Sequence, residues 1–132
     1  MSKQAAQRFL GYLQAQKAAM TGDVGAHTNR PELVATYGYD TKYAMHALRL
    51  GYQGIELLTT GRITLPVPEP HRAYLRSIRR GEVELNEVVE AVSAAEAELV
   101  RLKTSSTLPD QPDHRWVDAW LHRSHLRYWN QR

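Results

Sequence analysis

The sequence contains no cysteine and no long apolar run. Without a thiol, the 132-residue chain can form no disulfide, no cysteine nucleophile and no thiolate-bound zinc site, and this composition favours a reducing compartment. No window approaches the roughly 18 consecutive apolar residues that a bilayer span requires, and the first ten residues lack the apolar core of a secretion signal. We therefore expect a cytoplasmic protein that does not bind a membrane.

Charge is distributed unevenly along the chain, whose formal net charge is +3. Residues 1–80 carry 11 Lys and Arg against 5 Asp and Glu, whereas residues 81–103 carry 2 against 6. A basic first half can attract the phosphates of nucleotides or nucleic acid. Because such an excess is also common on an ordinary solvated surface, charge alone leaves both interpretations open.

Apolar residues recur at helical spacing in five segments, which turn-forming residues separate. The predicted helices span 3–20, 41–60, 71–80 and 85–102, and the last one begins after Asp113. Residues 21–30 read as a loop, and Pro31 to Val34 can begin a short additional turn of helix. Three prolines between 62 and 70 leave at most one edge strand or an extended connector.

These patterns predict a mainly α fold, a single compact bundle of about five helices with a short Pro-rich extended connector. We expect residues 1–132 to form one helical domain. Asp40 and Asp113 are predicted to cap the helices that follow them. Gly51 and Gly54 lie inside the longest apolar helix, where each costs about 1 kcal/mol relative to Ala. We expect them to allow a neighbouring backbone to approach closely.

The helix after Asp40 carries Lys42, His46 and Arg49 at positions i, i+4 and i+7, and therefore on one face. Lysine supplies a mobile charge, arginine a rigid donor fork and the helix N-terminus a partial positive charge, which together suit a polyanion. Tyr39 and its neighbours Tyr37 and Tyr43 could contact a base or sugar. The alternative is that the tyrosines pack in the core and the cations simply solvate the helix.

Four segments resemble the helical C-terminal part of the predicted DNA polymerase beta-like nucleotidyltransferases associated with RNA repair. The most specific is Gly-Tyr-Asp-Thr-Lys-Tyr-Ala-Met-His at 38–46; the others, in the same order as in the family, lie at 65–70, 78–84 and 108–113. The resemblance covers nearly the whole chain and identifies it as similar to the C-terminal half of such an enzyme.

The resemblance also implies a preceding catalytic lobe, in which a Gly-Ser turn and an Asp-x-Asp pair hold two divalent metals. This chain contains neither element, and Asp110 and Asp113 lie three residues apart beside prolines. We expect no catalytic residue, no metal site and no cofactor of its own, with Mg²⁺ entering with nucleotide only if a catalytic lobe is present. The sequence is then either a separately encoded helical half or one taken from a longer protein.

By resemblance, the helical half closes one side of the nucleotide cleft. This implies Lys42 as a triphosphate contact, with Tyr39, His46 and Arg49 as neighbouring nucleotide-binding residues. Arg79 and Arg80 could supply a second phosphate clamp, of which one side chain would face a given ligand because consecutive helix residues point about 100° apart. A cation in a last helical turn is also favourable without any ligand. Expected partners are a catalytic nucleotidyltransferase chain, a nucleotide or RNA, and a second copy of this chain.

Two further hypotheses remain. The chain could be a non-catalytic interaction protein that dimerises, or docks a partner, through the face left by the missing lobe. It could also be an enzyme by itself, for which the sequence offers no nucleophile motif.

Near the C-terminus, Trp116 and Trp120 could stack on bases but more commonly form a packed helix face. His122 and His125 share a face without a third metal ligand.

Overall fold

The computed structural model describes residues 1–21 and 30–131, and this part of the chain contains six helices and no strand. The helices are α1 (Gln4–Thr21), α2 (Pro31–Tyr37), α3 (Thr41–Thr60), α4 (His71–Arg79), α5 (Leu85–Ser105) and α6 (His114–Asn130). The predicted mainly α fold is confirmed. The additional helix is α2, because the turn expected at Pro31 continues to Tyr37. Most of the loop predicted at 21–30 lies outside the described residues.

Local signals in the sequence set the ends of the helices. The side chain of Asp40 accepts hydrogen bonds from the backbone N–H groups of Lys42 and Tyr43, and that of Asp113 accepts one from Trp116. At the end of α3, Gly61 adopts a φ of 75° and its N–H donates to the carbonyl of Leu57. This left-handed conformation strains residues that carry a Cβ, so glycine ends the helix at little cost.

Helix α3 contacts α1, α2, α4 and α5, and its two inner glycines lie at its closest contacts. A Cβ on Gly51 would lie 2.7 Å from the Cβ of Ala95, and a Cβ on Gly54 would lie 2.8 Å from Cδ2 of Leu99. The close approach is therefore made by side chains rather than by the neighbouring backbone that was expected, and Leu13 and Phe9 of α1 contribute to it beside the α5 residues. The absence of these two methyl groups lets α3 pack tightly against α5.

The proline-rich connector and α4 lie along α3. Residue Thr64 of the connector donates to the carboxylate of Glu56, in the second half of α3. Helix α4 then runs back along the first half, since His71 stacks on Tyr52 and Arg79 contacts Thr41. The connector therefore covers the C-terminal end of α3. The face of α3 that begins at Lys42 lies next to α4.

Helix α6 contains no buried residue, which it shares only with the short α2 among the six helices of the described chain. Its two tryptophans at i and i+4 stack with ring centroids 6.4 Å apart, yet Trp116 and Trp120 are 59% and 49% exposed. The packed helix face expected here is therefore not packed against the described bundle. Across residues 1–21 and 30–131, no helix combines the length and apolar character needed to cross a membrane.

Replacing Gly54 by Ala should destabilise the protein, although alanine is the better helix former. The added methyl group would meet Leu99 and the ring of Phe9, and such overpacking costs about 1–3 kcal/mol in the free energy of unfolding. Gly11→Ala is the matched control, because nothing lies within 4 Å of that position in α1. Urea unfolding followed by circular dichroism measures both. A Gly54→Ala protein as stable as Gly11→Ala would contradict the packing described.

Candidate functional site

A buried carboxylate fixes the start of α3. Asp40 is 0% exposed, and its Oδ1 accepts the N–H groups of Lys42 and Tyr43 at 3.0 and 3.1 Å. Its Oδ2 lies 3.3 Å from Nε of Arg30, whose guanidinium carbon lies 4.7 Å from the Tyr43 ring centroid. The cap thus occupies two N–H groups of the helix end that the sequence suggested as part of an anion site. Any anion bound here would be held chiefly by side chains.

Positive side chains surround His46, one turn further along α3. Burial lowers the pKa of His46 below its ordinary value of 6.5, and the charges of Arg49, Lys42, Arg30 and Arg79 lower it further. These four cations come from the segment before α2, from α3 and from α4. We refer to Arg30, Lys42, His46, Arg49 and Arg79 as the His46 cluster. The fold therefore brings together four of the five nucleotide-binding residues named from the sequence, and adds Arg30.

Three cations of the His46 cluster have no acidic partner in the described part of the chain. Lys42, Arg49 and Arg79 form no salt bridge there, and Arg79 instead donates to Oγ1 of Thr41 at 3.3 Å. The Nε of Arg49 is buried and donates to no atom of those residues. The neighbouring Arg80, in contrast, forms a bidentate pair with Glu82. A buried donor without an acceptor is uncommon and marks a place where a ligand could bind.

Tyr39 is the exception among the residues named from the sequence. Its side chain is 2% exposed, and its hydroxyl donates to the carbonyl of Val83 at 2.7 Å. Burial, together with the charges of Glu84 and Glu87, raises the pKa of this hydroxyl. The expectation that Tyr39 contacts a nucleotide is therefore corrected. Tyr39 lies in the core, where its hydrogen bond links the start of α3 to the turn before α5.

A cavity of about 480 Å³, which the sequence did not reveal, lies between the second half of α3, the connector and the first residue of α4. Gln53, Glu56 and Thr60 line it, and they continue the helical face of Lys42, His46 and Arg49. The continuation is visible in the sequence as a spacing of three and four residues. The walls come from the connector, however, and its path over α3 depends on contacts distant in sequence.

Two carboxylates lie in this cavity, and hydrogen bonds orient both. Glu56 accepts the N–H and the hydroxyl of Thr64, and these bonds lower its pKa. Glu69 accepts the N–H of Ala73 at 2.9 Å and a bond from Arg72 at 2.8 Å, which likewise lower its pKa. No lysine or arginine is among the described residues that line the cavity. It is therefore chemically opposite to the His46 cluster.

The described residues contain no group of three His, Asp or Glu side chains arranged to hold a metal ion. His122 and His125 are both exposed on α6. Asp110 pairs with Lys3 at 3.0 Å, and Asp113 caps α6. Each of these acidic residues thus has a structural contact.

Residues 1–124 match the RNA repair pathway DNA polymerase beta family, RlaP. The chain belongs to this family. The match covers nearly the whole chain and confirms the resemblance seen in the sequence. No curated protein and no solved structure matches the chain. The segment most specific to the RlaP resemblance, 38–46, supplies Asp40, Lys42 and His46 at the candidate site.

Proposed function

We propose that this chain, a nucleotidyltransferase-like protein of the RlaP family, binds the phosphates of a nucleotide or polynucleotide through the His46 cluster. The observation that carries the proposal is geometric: Lys42, His46 and Arg49 share one face of α3, and Arg30 and Arg79 contact Asp40 and Thr41 at the start of that helix. Three of these four cations have no acidic partner in the described structure. Like charges held together raise the free energy of the folded protein. A bound phosphate would offset that repulsion.

The side chains of the His46 cluster offer complementary chemistry to a polyphosphate. Arg49 and Arg79 present planar donor forks, whereas Lys42 presents a mobile point charge. Burial and the cationic neighbours lower the pKa of His46 and so favour its neutral form, whereas an approaching anion would favour the protonated form, in which both ring nitrogens donate. Asp40 contributes by orienting α3 and Arg30, without contacting the ligand.

In this proposal the chain binds and positions phosphates, and a partner chain supplies the metal-binding carboxylates. The 132 residues include no Gly-Ser dipeptide and no Asp-x-Asp pair. Nucleotidyl transfer needs carboxylates that hold Mg²⁺ beside the reacting phosphate. The cations of the His46 cluster can neutralise the remaining phosphate charge but cannot bind the metal.

Replacing Lys42 by Gln should weaken the binding of all four ribonucleoside triphosphates, measured by calorimetry with Mg²⁺. We expect about a tenfold loss, because a charge-assisted contact to phosphate is removed. Lys103→Gln is the matched control: it removes the same charge from the last turn of α5. This position lies away from Lys42, because the hydroxyl of Ser106, directly after α5, donates to the carbonyl of Leu58 near the opposite end of α3. No binding by the wild-type protein, or equal losses in both variants, would contradict the proposal.

The exposed face of α6 favours a second function, the docking of a second copy or another partner. Trp116, Val117, Trp120, Leu121 and Tyr128 are each 38–59% exposed. With about 100° per residue, these five side chains fall within one broad stripe of the helix. A contiguous apolar stripe of this kind is typical of an association surface. This function is compatible with phosphate binding, since α6 contributes nothing to the His46 cluster.

Tryptophan fluorescence can test self-association directly, because all three tryptophans lie in α6. If copies associate through the stripe, the emission should shift to shorter wavelength as concentration rises, and the mass from light scattering should rise with it. Leu121→Lys should suppress both changes, whereas Leu126→Lys, outside the stripe, should not. A monomer with unshifted emission at every concentration would contradict self-association.

A further inference from the structure

The cavity and the His46 cluster lie on one continuous face of α3. Six residues recur at intervals of four and three along it: Lys42, His46, Arg49, Gln53, Glu56 and Thr60. With a rise of about 1.5 Å per residue, His46 and Gln53 are separated by about 10 Å along the helix axis. A single extended ligand could therefore contact both regions, provided that its two ends differ in chemistry.

The cavity would accept hydrogen-bond donors and disfavour phosphate. Among its described lining residues, the charged side chains are Glu56 and Glu69. Hydrogen bonds to Thr64 lower the pKa of Glu56, so its carboxylate is ionised at neutral pH and can only accept hydrogen bonds. Arg72 pairs with Glu69 and partly neutralises it, whereas Glu56 forms no salt bridge with the described residues. Thr64 donates twice to Oε1 of Glu56 and only weakly to Oε2, so Oε2 keeps most of the acceptor capacity.

The remaining walls suit a flat, partly apolar group. Ile55, Val67 and Pro68 provide apolar surface, and the rings of Tyr52 and His71 stack with centroids 3.9 Å apart. The volume of about 480 Å³ falls within the range of small-molecule sites. Aromatic rings beside a carboxylate are a recurring means of binding a nucleobase, by stacking and by hydrogen bonds to its edge.

We propose that this cavity binds the base of a nucleotide whose phosphates contact the His46 cluster, and that Glu56 makes it prefer guanine. The inference rests on the proposed function. Guanine presents two adjacent N–H donors, N1–H and the N2 amino group, to a carboxylate that can only accept. The pairing edges of adenine and cytosine place an acceptor beside one amino group, and that of uracil has a single donor between two carbonyls. Each of these three bases would therefore place a hydrogen-bond acceptor opposite the carboxylate of Glu56.

The test compares GTP, ATP, CTP, UTP and inorganic tripolyphosphate, each titrated with Mg²⁺ into the full chain. We expect GTP to bind about tenfold more tightly than the other three nucleotides, as a bidentate contact to one base provides. Glu56→Gln should abolish this preference and leave the affinity for tripolyphosphate unchanged within about twofold. Glu90→Gln removes the same charge from an exposed position on α5 and should change neither.

The possible results separate this inference from the proposed function. If tripolyphosphate binds but the four nucleotides bind equally to the wild-type protein, the guanine preference is overturned and phosphate binding stands. The same holds if Glu56→Gln changes all affinities, including that for tripolyphosphate, by one factor. If tripolyphosphate does not bind, both are overturned. Because the ranking of nucleotides is measured on the wild-type protein, the inference can be overturned even if Glu56→Gln fails to fold.

Discussion

The carboxylate of Asp40 is the contact on which the arrangement of the candidate site depends. It is buried, it caps α3 through two backbone N–H groups, and it pairs with Arg30. Since this cap fixes where α3 begins, the helical period then determines which side chains share the face that starts at Lys42. One interaction thus aligns the cations of α3 and brings in a further cation from before α2.

The packing of α3 holds this face in place. Gly51 and Gly54 lie against Ala95 and Leu99, so α3 cannot rotate about its axis without steric overlap with α5. A helix fixed at its cap and along its inner side presents its outer face in a defined orientation. Cations that repel one another are therefore held together, which is the kind of local cost that proteins accept at binding sites.

The sequence was informative where structure depends on near neighbours along the chain. Asp40, Asp113 and Gly61 act on residues within a few positions, so the ends of the helices could be predicted. The role of Gly51 and Gly54 could be predicted too, because glycine inside an apolar helix is unfavourable unless a close packing contact requires it. The face of Lys42, His46 and Arg49 followed from helical periodicity alone.

Contacts distant in sequence could not be predicted in the same way. The burial of Tyr39 depends on Val83, and the inclusion of Arg30 depends on its pairing with Asp40. The cavity at Glu56 requires the connector to fold back over α3. For α6, an apolar stripe normally predicts a buried face, yet that face is exposed in the described structure. Periodicity specifies which residues share a face, and only the tertiary fold decides what covers it.

The pKa of His46, measured by NMR with and without tripolyphosphate, tests phosphate binding by the His46 cluster most directly. In the free protein, burial and the surrounding cations favour the neutral imidazole, so we expect a pKa below 6.5. A phosphate bound among those cations would stabilise the imidazolium, and the pKa should rise on saturation. A pKa that does not change at saturating tripolyphosphate would contradict the account.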